Sequence, residues 1–196
     1  MAMCLVGGVL LIIMGVGEII DSKKTPVDYN SIQLSDLKSG DVIEGDISMN
    51  YGAYESIETK SSGKTTGVKY RYIIPVGDKG FAGIEFSNSL DISNMDNMTK
   101  ETLEVYKGNA EETSTVVHFK GKVNKMSNED YGYFRDGMKG LGYTDNEIEQ
   151  YSTKLYIQIR TLNGGGTVVV AGAILVIAGI VMTIIVLIKS KKNGQL

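Results

Sequence analysis

The sequence is poor in the residues on which most familiar site chemistry depends. It has one Cys, one His, no Trp and two Pro among 196 residues. The single Cys4 excludes an intramolecular disulfide and a cysteine-based zinc site, and the single His118 excludes a metal site built on paired histidines. We therefore predict no catalytic residue, no cofactor and no metal site.

Two long segments, one near each end of the chain, are almost free of charged residues. Residues 167–188 carry no charged side chain, and residues 2–20 carry only Glu18. At about 1.5 Å per residue, a helix of this length covers the roughly 30 Å hydrocarbon layer of a bilayer. The sequence therefore predicts transmembrane helices at residues 1–20 and 167–188 and disfavours a soluble globular protein.

The orientation of these predicted spans follows from the lysines beside them. Lys189, Lys191 and Lys192 come directly after the second span, and basic residues beside a span stay on the cytoplasmic side. Lys23 and Lys24 favour the opposite orientation, but they lie beside acidic residues. We predict that both termini are cytoplasmic, that residues 189–196 form a basic tail, and that residues 21–166 are extracytoplasmic.

An apolar N-terminal run can also be a secretory signal peptide, which needs a basic start and a cleavage site between small residues. The chain starts Met-Ala-Met-Cys, and no Ala-x-Ala follows Gly17. These features favour an uncleaved anchor. The lack of basic residues at the start favours a true N-terminus upstream of Met1.

Glycines recur at a two-turn spacing in both predicted spans. Gly8 and Gly15 are seven residues apart, and so are Gly172 and Gly179. Each pair lies on one helix face, where a partner backbone can approach closely. The spacing predicts that the two spans pack against each other, although glycine is also simply frequent in membrane helices.

Residues 21–166 contain all 15 Tyr and Phe residues and can therefore build a core. Alternation of apolar and polar residues predicts strands at residues 41–49, 52–59, 68–76, 81–87, 115–125 and 154–162. Helices are predicted at residues 98–107, 127–139 and 144–152, the last two from capping boxes. The order favours an α+β domain with an antiparallel sheet or partly open barrel and short helices against one side of it. A four-residue Asn-Gly-Gly-Gly joint at residues 163–166 would hold it close to the bilayer.

Two local motifs invite a functional interpretation that their surroundings do not support. Gly63, Lys64 and Thr65 resemble the end of a phosphate-binding loop, but position 58 is Glu rather than the required Gly and strand-like residues follow. His118 has no acid or nucleophile next to it in the sequence, which favours a structural role. We therefore predict a hairpin loop for the first motif and a structural histidine for the second.

Two stretches resemble the domains that lie beside the membrane in membrane-anchored ubiquitin ligases. They are residues 34–47 (LSDLKSGDVIEGDI) and residues 119–123 (FKGKV). The residues after Ile188 contain no Cys for the ring module that those ligases carry there, so we expect no ligase activity. The whole layout is similar to that of uncharacterised bacterial two-span membrane proteins, which implies a placement rather than an activity.

The function predicted from these observations is a non-catalytic interaction module, such as a scaffold, accessory subunit or envelope sensor. Its predicted partners are the lipid bilayer and a membrane or cell-surface protein, and a homo-oligomer is also open. A net charge of −3 gives no driving force for binding nucleic acid. The alternative is a membrane-tethered hydrolase that uses paired carboxylates, which would require two acids in one pocket with a raised pKa on one of them.

Overall fold

A computed structural model of the chain describes residues 2–159 and 165–192. The chain divides into two compact units. One unit consists of the terminal helices α1 (Ala2–Ser22) and α5 (Gly165–Lys192). The other runs from Thr25 to the end of the last strand and contains the sheet.

The second unit is built from strands interleaved with three helices. In chain order these elements are β1 (Val27–Asp28), β2 (Val42–Ile47), β3 (Ala53–Ser61), β4 (Lys64–Val76), β5 (Gly80–Phe86), α2 (Ser89–Tyr106), β6 (Val117–Lys125), α3 (Asn128–Gly140), α4 (Asp145–Tyr151) and β7 (Ser152–Ile159). The predicted strands are confirmed to within a few residues at each end, except that residues 160–162 of the last predicted strand lie outside the described residues. Of the predicted Asn-Gly-Gly-Gly joint, Asn163 and Gly164 lie outside the described residues.

The sheet is mixed, so the prediction of an antiparallel sheet is wrong. The described strands have the order β1-β2-β6-β7-β5-β4-β3. β1 pairs in parallel with β2, and β5 pairs in parallel with β7, whereas the other neighbours are antiparallel. The short β1 and the long β3 form the two edges of this open sheet.

The parallel pairing of β5 with β7 was not predicted, and the cause is topological. The chain leaves β5 through α2, β6, α3 and α4 before β7 inserts between β5 and β6. Alternation along the sequence identifies each strand but contains no information about insertion between two earlier strands. The hairpins of adjacent strands were therefore predictable, and the parallel β5–β7 pair was not.

The sheet has a core on each face, because successive β4 side chains point in opposite directions. Tyr72 and Ile74 belong to the larger cluster, where Met95 and Met98 of α2 pack. Ile73 belongs to the smaller cluster, which is closed by side chains of α3 and α4, namely Phe134, Met138 and Ile148. Helices therefore cover both faces rather than the one side that was predicted.

The residues at the helix N-termini show why the starts of α3 and α4 were predicted correctly and the start of α2 was not. Ser127 and Asp130 form a complete capping box at α3, and Thr144 and Glu147 form another at α4, as predicted. The prediction for α2 began nine residues late. The start of α2 is instead capped by the Asn88 side chain, which accepts a hydrogen bond from Leu90 N.

The two terminal helices are long and apolar enough to cross a membrane, over Met3–Ser22 and Gly166–Lys189. Within their unit they run antiparallel, because Leu5 lies beside position 179 and Ile12 beside position 172. Along the chain, one apolar helix precedes the α+β unit and the other follows it, as predicted.

Candidate functional site

A cleft of the described domain lies between α2, the β2–β3 connection and the α3–α4 connection. Its volume is about 660 Å³, within the usual range for ligand sites. We call it the tyrosine cleft; its lining residues are Asn50, Tyr51, Thr99, Lys100, Thr102, Leu103, Tyr106, Leu141, Gly142, Tyr143 and Glu147.

The floor of the tyrosine cleft is polar, but its hydrogen bonds are made internally. Asn50 is fully buried, and its Nδ2 donates to the Met95 carbonyl at 2.8 Å. Its Oδ1 accepts from Thr99 Oγ1 at 2.6 Å and from Gly52 N at 2.9 Å. Because these groups already bind one another, they fix the shape of the cleft and do not need a polar ligand as a hydrogen-bond partner.

Aromatic rings form the wall of the tyrosine cleft. The Tyr51 ring packs edge-on against Phe81 at 5.4 Å and against Tyr106 at 6.1 Å between centroids. Phe81 packs in the same way against Tyr143 at 5.2 Å. Burial, together with the neighbouring Tyr106, raises the pKa of Tyr51 above its usual value, and burial raises that of Tyr143. The phenols of Tyr51 and Tyr143 are therefore neutral at physiological pH.

The rim of the tyrosine cleft combines exposed apolar side chains with one charge of each sign. Leu103 is 53% exposed, Tyr106 67% and Leu141 42%. Lys100 lies on α2, and Glu147 lies on α4. Glu147 Oε2 accepts hydrogen bonds from the backbone N and the hydroxyl of Thr144, and both bonds leave Oε1 uninvolved.

A second cluster of charged residues surrounds Arg71 between the sheet and α3. Arg71 Nη1 lies 2.7 Å from Glu55 Oε2 and 3.0 Å from Asp130 Oδ1, and its Nε lies 3.0 Å from Glu85 Oε2. The guanidinium also stacks over the ring of Tyr156 at 4.5 Å. This Arg71 cluster ties β3, β4, β5 and α3 together.

The carboxylates of the Arg71 cluster differ in pKa. Burial raises the pKa of Glu55, and Arg71 offsets this only in part. Burial also acts to raise the pKa of Glu85, but hydrogen bonds from Gln158 and Lys69 hold it below the usual value. The pKa of Asp130 is lowered mainly by hydrogen bonds from Ser127, against the effect of its partial burial.

His118 lies on an exposed strand face rather than in a cavity. Its Nδ1 is 2.8 Å from Asp46 Oδ1, and its Nε2 is 3.6 Å from Glu44 Oε1. The imidazole is 64% exposed, so its contacts with Asp46 and Glu44 lie at the solvated surface. Across the described part of the chain, no group of three His, Cys, Asp or Glu residues is arranged to hold a metal ion.

The four glycines singled out in the spans are buried in the described helices. A Cβ atom on Gly8 would lie 2.8 Å from the Gly172 carbonyl oxygen, and one on Gly172 would lie 2.7 Å from the Gly8 carbonyl oxygen. A Cβ on Gly179 would lie 2.9 Å from Leu5. The structure thus brings Gly8 and Gly172 into backbone contact, and Gly15 is buried elsewhere along α1. Lys189, Lys191 and Lys192 all lie in the last turns of α5.

Sequence reasoning did not find the tyrosine cleft. Its residues come from three separate segments that the β5–β7 crossover brings together, and no motif joins them. One signal was present, because each tyrosine lies within two residues of a turn glycine with positive φ. Tyr51 precedes Gly52, Tyr143 follows Gly142, and Tyr106 lies two residues before Gly108. Aromatic residues beside turns at one end of a sheet are candidates for a shared surface.

These features define an α+β protein with two apolar terminal helices and a candidate binding cleft. The chain belongs to the family described as Domain of unknown function (DUF8577), whose model matches residues 1–189. Comparisons with curated proteins and with solved structures found no match.

Proposed function

We propose that this protein is a non-catalytic, membrane-anchored interaction module, and that the tyrosine cleft is its binding site for a protein partner. The observation that carries the proposal is the composition of the cleft, with aromatic walls, an internally satisfied floor and an exposed apolar rim. A scaffold, an accessory subunit and an envelope sensor all need such a surface.

The chemistry of the tyrosine cleft supports a protein partner over a sugar. A sugar site needs donors and acceptors that are free to bind hydroxyls, and the floor groups Asn50 and Thr99 already bind each other. Tyrosine offers a large rigid apolar surface with one polar atom, and it is enriched at protein interfaces. Exposed Leu103 and Leu141 add apolar area at the rim, where a partner side chain would displace water.

The two apolar helices support the membrane anchoring in this proposal. Met3–Ser22 has 20 residues and Gly166–Lys189 has 24, so each reaches about 30 Å or more at 1.5 Å per residue. In this proposal the lysines at the end of α5 stay in the cytoplasm and the α+β domain faces outward. Close packing at Gly8 and Gly172 would stabilise the antiparallel pair in lipid, where apolar side chains gain nothing by association.

A second candidate function is a membrane-tethered hydrolase, and one observation favours it. Burial raises the pKa of Glu55, which lies beside Asp130 in the Arg71 cluster. However, Arg71 Nη1 binds both carboxylates, at 2.7 Å and 3.0 Å. A pair that is neutralised by one guanidinium is better suited to joining β3 to α3 than to attacking a substrate.

Site-specific photo-crosslinking tests the first proposal. A photoreactive amino acid at Leu103, on the rim, should give a covalent product with a protein in native membranes. The matched control is Leu90, which is 67% exposed on the same helix but does not line the tyrosine cleft. A product at Leu90 of equal yield, or none at Leu103, would contradict the assignment of the cleft.

Substitutions tested in the same cells distinguish the interaction module from the hydrolase. Glu55→Gln keeps the size of the side chain and removes its acid. If this variant is abundant and still crosslinks through Leu103, yet loses the cellular phenotype of a deletion strain, the hydrolase is favoured. A phenotype that survives Glu55→Gln and fails with Leu103→Asp favours the interaction module.

A further inference from the structure

We propose that the protein partner of the tyrosine cleft is a second copy of this chain, bound through the same cleft in a two-fold symmetric pair. This inference rests on the proposed function, because it names the partner of the same site. Two features of the rim point to it: the apolar residues beside the cleft and the placement of its two charges.

The first feature is that the tyrosine cleft is a recess bordered by exposed apolar side chains, which could fill the same recess on a second copy. Leu103 and Tyr106 project from α2 with more than half of their surface exposed, beside a cavity of about 660 Å³. In a two-fold pair each surface meets its own copy, so a self-complementary patch needs a projection next to a recess. Here Leu103 and Tyr106 of each copy enter the cleft of the other.

The second feature is the charge pattern across the tyrosine cleft. Lys100 lies on the α2 side, and Glu147 lies on the α4 side. A two-fold axis through the cleft places Lys100 of one copy opposite Glu147 of the other, twice. Both hydrogen bonds that the Glu147 carboxylate accepts from Thr144 use Oε2, so Oε1 is available to accept from the ammonium group. A polyanionic or polycationic partner would meet a like charge on one side.

Membrane anchoring favours this pair. Chains held in one bilayer are confined to a layer, which raises their effective concentration far above that in free solution. A small apolar interface is then enough, even though a stable pair in solution usually buries about 800 Å² on each partner. The pair is therefore expected to form in a lipid bilayer more readily than in dilute detergent.

A charge-swap experiment tests the inference on the full chain. Copies with two different affinity tags are co-reconstituted in lipid nanodiscs, and recovery of one tag through the other measures pairing. Wild-type chains should pair. Lys100→Glu and Glu147→Lys should each reduce self-pairing at least about tenfold, because each places two like charges opposite each other.

Mixing the two swapped variants is the decisive arm. A Lys100→Glu chain and a Glu147→Lys chain present opposite charges at both contacts, so the mixture should pair as well as wild type while neither variant pairs with itself. Glu149→Lys, an exposed change on the same helix, is the matched control and should pair normally. Glu147→Gln keeps the cap on α4 and removes the charge, which separates pairing from folding.

Three results would overturn the inference: wild-type chains that do not pair in nanodiscs, pairing that persists with Leu103→Asp, or swapped variants that fail to pair when mixed. Each leaves the proposed function standing if photo-crosslinking at Leu103 captures a different protein. If Leu103 captures no protein at all, the proposed function itself fails.

Discussion

Asn50 accepts a hydrogen bond from Thr99 across 2.6 Å, which joins the β2–β3 connection to the middle of α2. The same Asn50 side chain donates to the Met95 carbonyl and accepts from Gly52 N. One buried amide therefore sets the distance between two of the three segments that form the tyrosine cleft. The cleft depends on this residue for its shape, although Asn50 is already satisfied and has little capacity left for a ligand.

The first prediction concerns this amide. Asn50→Ala removes three hydrogen bonds and leaves Gly52 N without its acceptor, whereas Thr99 Oγ1 still donates to the Met95 carbonyl at 2.9 Å. It should lower the free energy of unfolding by about 2–4 kcal/mol, at about 1 kcal/mol for each lost bond and with a further cost for the unpaired amide. Thr99→Val removes one of these bonds and should cost about 1 kcal/mol. Urea unfolding of the full chain in micelles measures both, because all 15 Tyr and Phe residues that report unfolding lie in the domain. Equal losses in the two variants would contradict the role given to Asn50.

The second prediction compares two buried phenols. Tyr54 Oη is buried without a hydrogen-bond partner in the described part of the chain, whereas Tyr72 Oη donates to Asp96 Oδ1 at 2.7 Å. Tyr54→Phe should therefore raise the free energy of unfolding by about 1 kcal/mol, because an unsatisfied buried hydroxyl is removed. Tyr72→Phe should lower it by about 1 kcal/mol. A loss of stability in Tyr54→Phe would show that its hydroxyl has a partner after all.

The third prediction is a pH dependence. The Glu101 carboxylate accepts four hydrogen bonds from the backbone and hydroxyls of Ser114 and Thr115, which lower its pKa to about 2. Because the folded pKa lies below the ordinary value of 4.5, its stabilisation is complete above pH 4.5 and is lost as the pH falls toward 2. Glu101→Gln should flatten this part of the stability profile.

The control for that profile is an exposed acid that follows α2 in the chain. Glu112→Gln changes an exposed carboxylate in the loop before β6 and should leave the acid limb of the profile as in wild type. Identical profiles for wild type and Glu101→Gln between pH 5 and pH 2 would contradict the assignment.

The fourth prediction uses two adjacent glycines of α1. A Cβ at Gly8 would lie 2.7 Å from Val176 and 2.8 Å from the Gly172 carbonyl oxygen, whereas a Cβ at Gly7 would meet nothing within 4 Å. Gly8→Leu should therefore separate the helices, and Gly7→Leu should not. In a Cys4→Ser background, disulfide trapping between cysteines at Leu5 and Gly179 measures the separation. Equal trapping in both variants would leave these glycines as ordinary membrane-helix composition.

The sequence contains enough local information to predict most of the helices and strands, but not the order of the strands in the sheet. Alternation located the hairpin from β4 to β5, and capping boxes located α3 and α4, because these signals are local. The insertion of β7 between β5 and β6 depends on contacts between residues far apart, such as Ile84 with Ile157. The tyrosine cleft and the Arg71 cluster both depend on that insertion, so neither had a sequence motif.

The claim on which the proposed function depends most is that the α+β domain faces away from the cytoplasm. The tip of the β3–β4 hairpin is exposed at Ser62, so Ser62→Cys in a Cys4→Ser background provides a reporter for a membrane-impermeant maleimide. We predict that this cysteine is labelled in intact cells, while Ser190→Cys, after the second predicted span, is labelled only once the membrane is permeabilised. Labelling in the reverse pattern would contradict the orientation, and with it the account of an outward-facing interaction module.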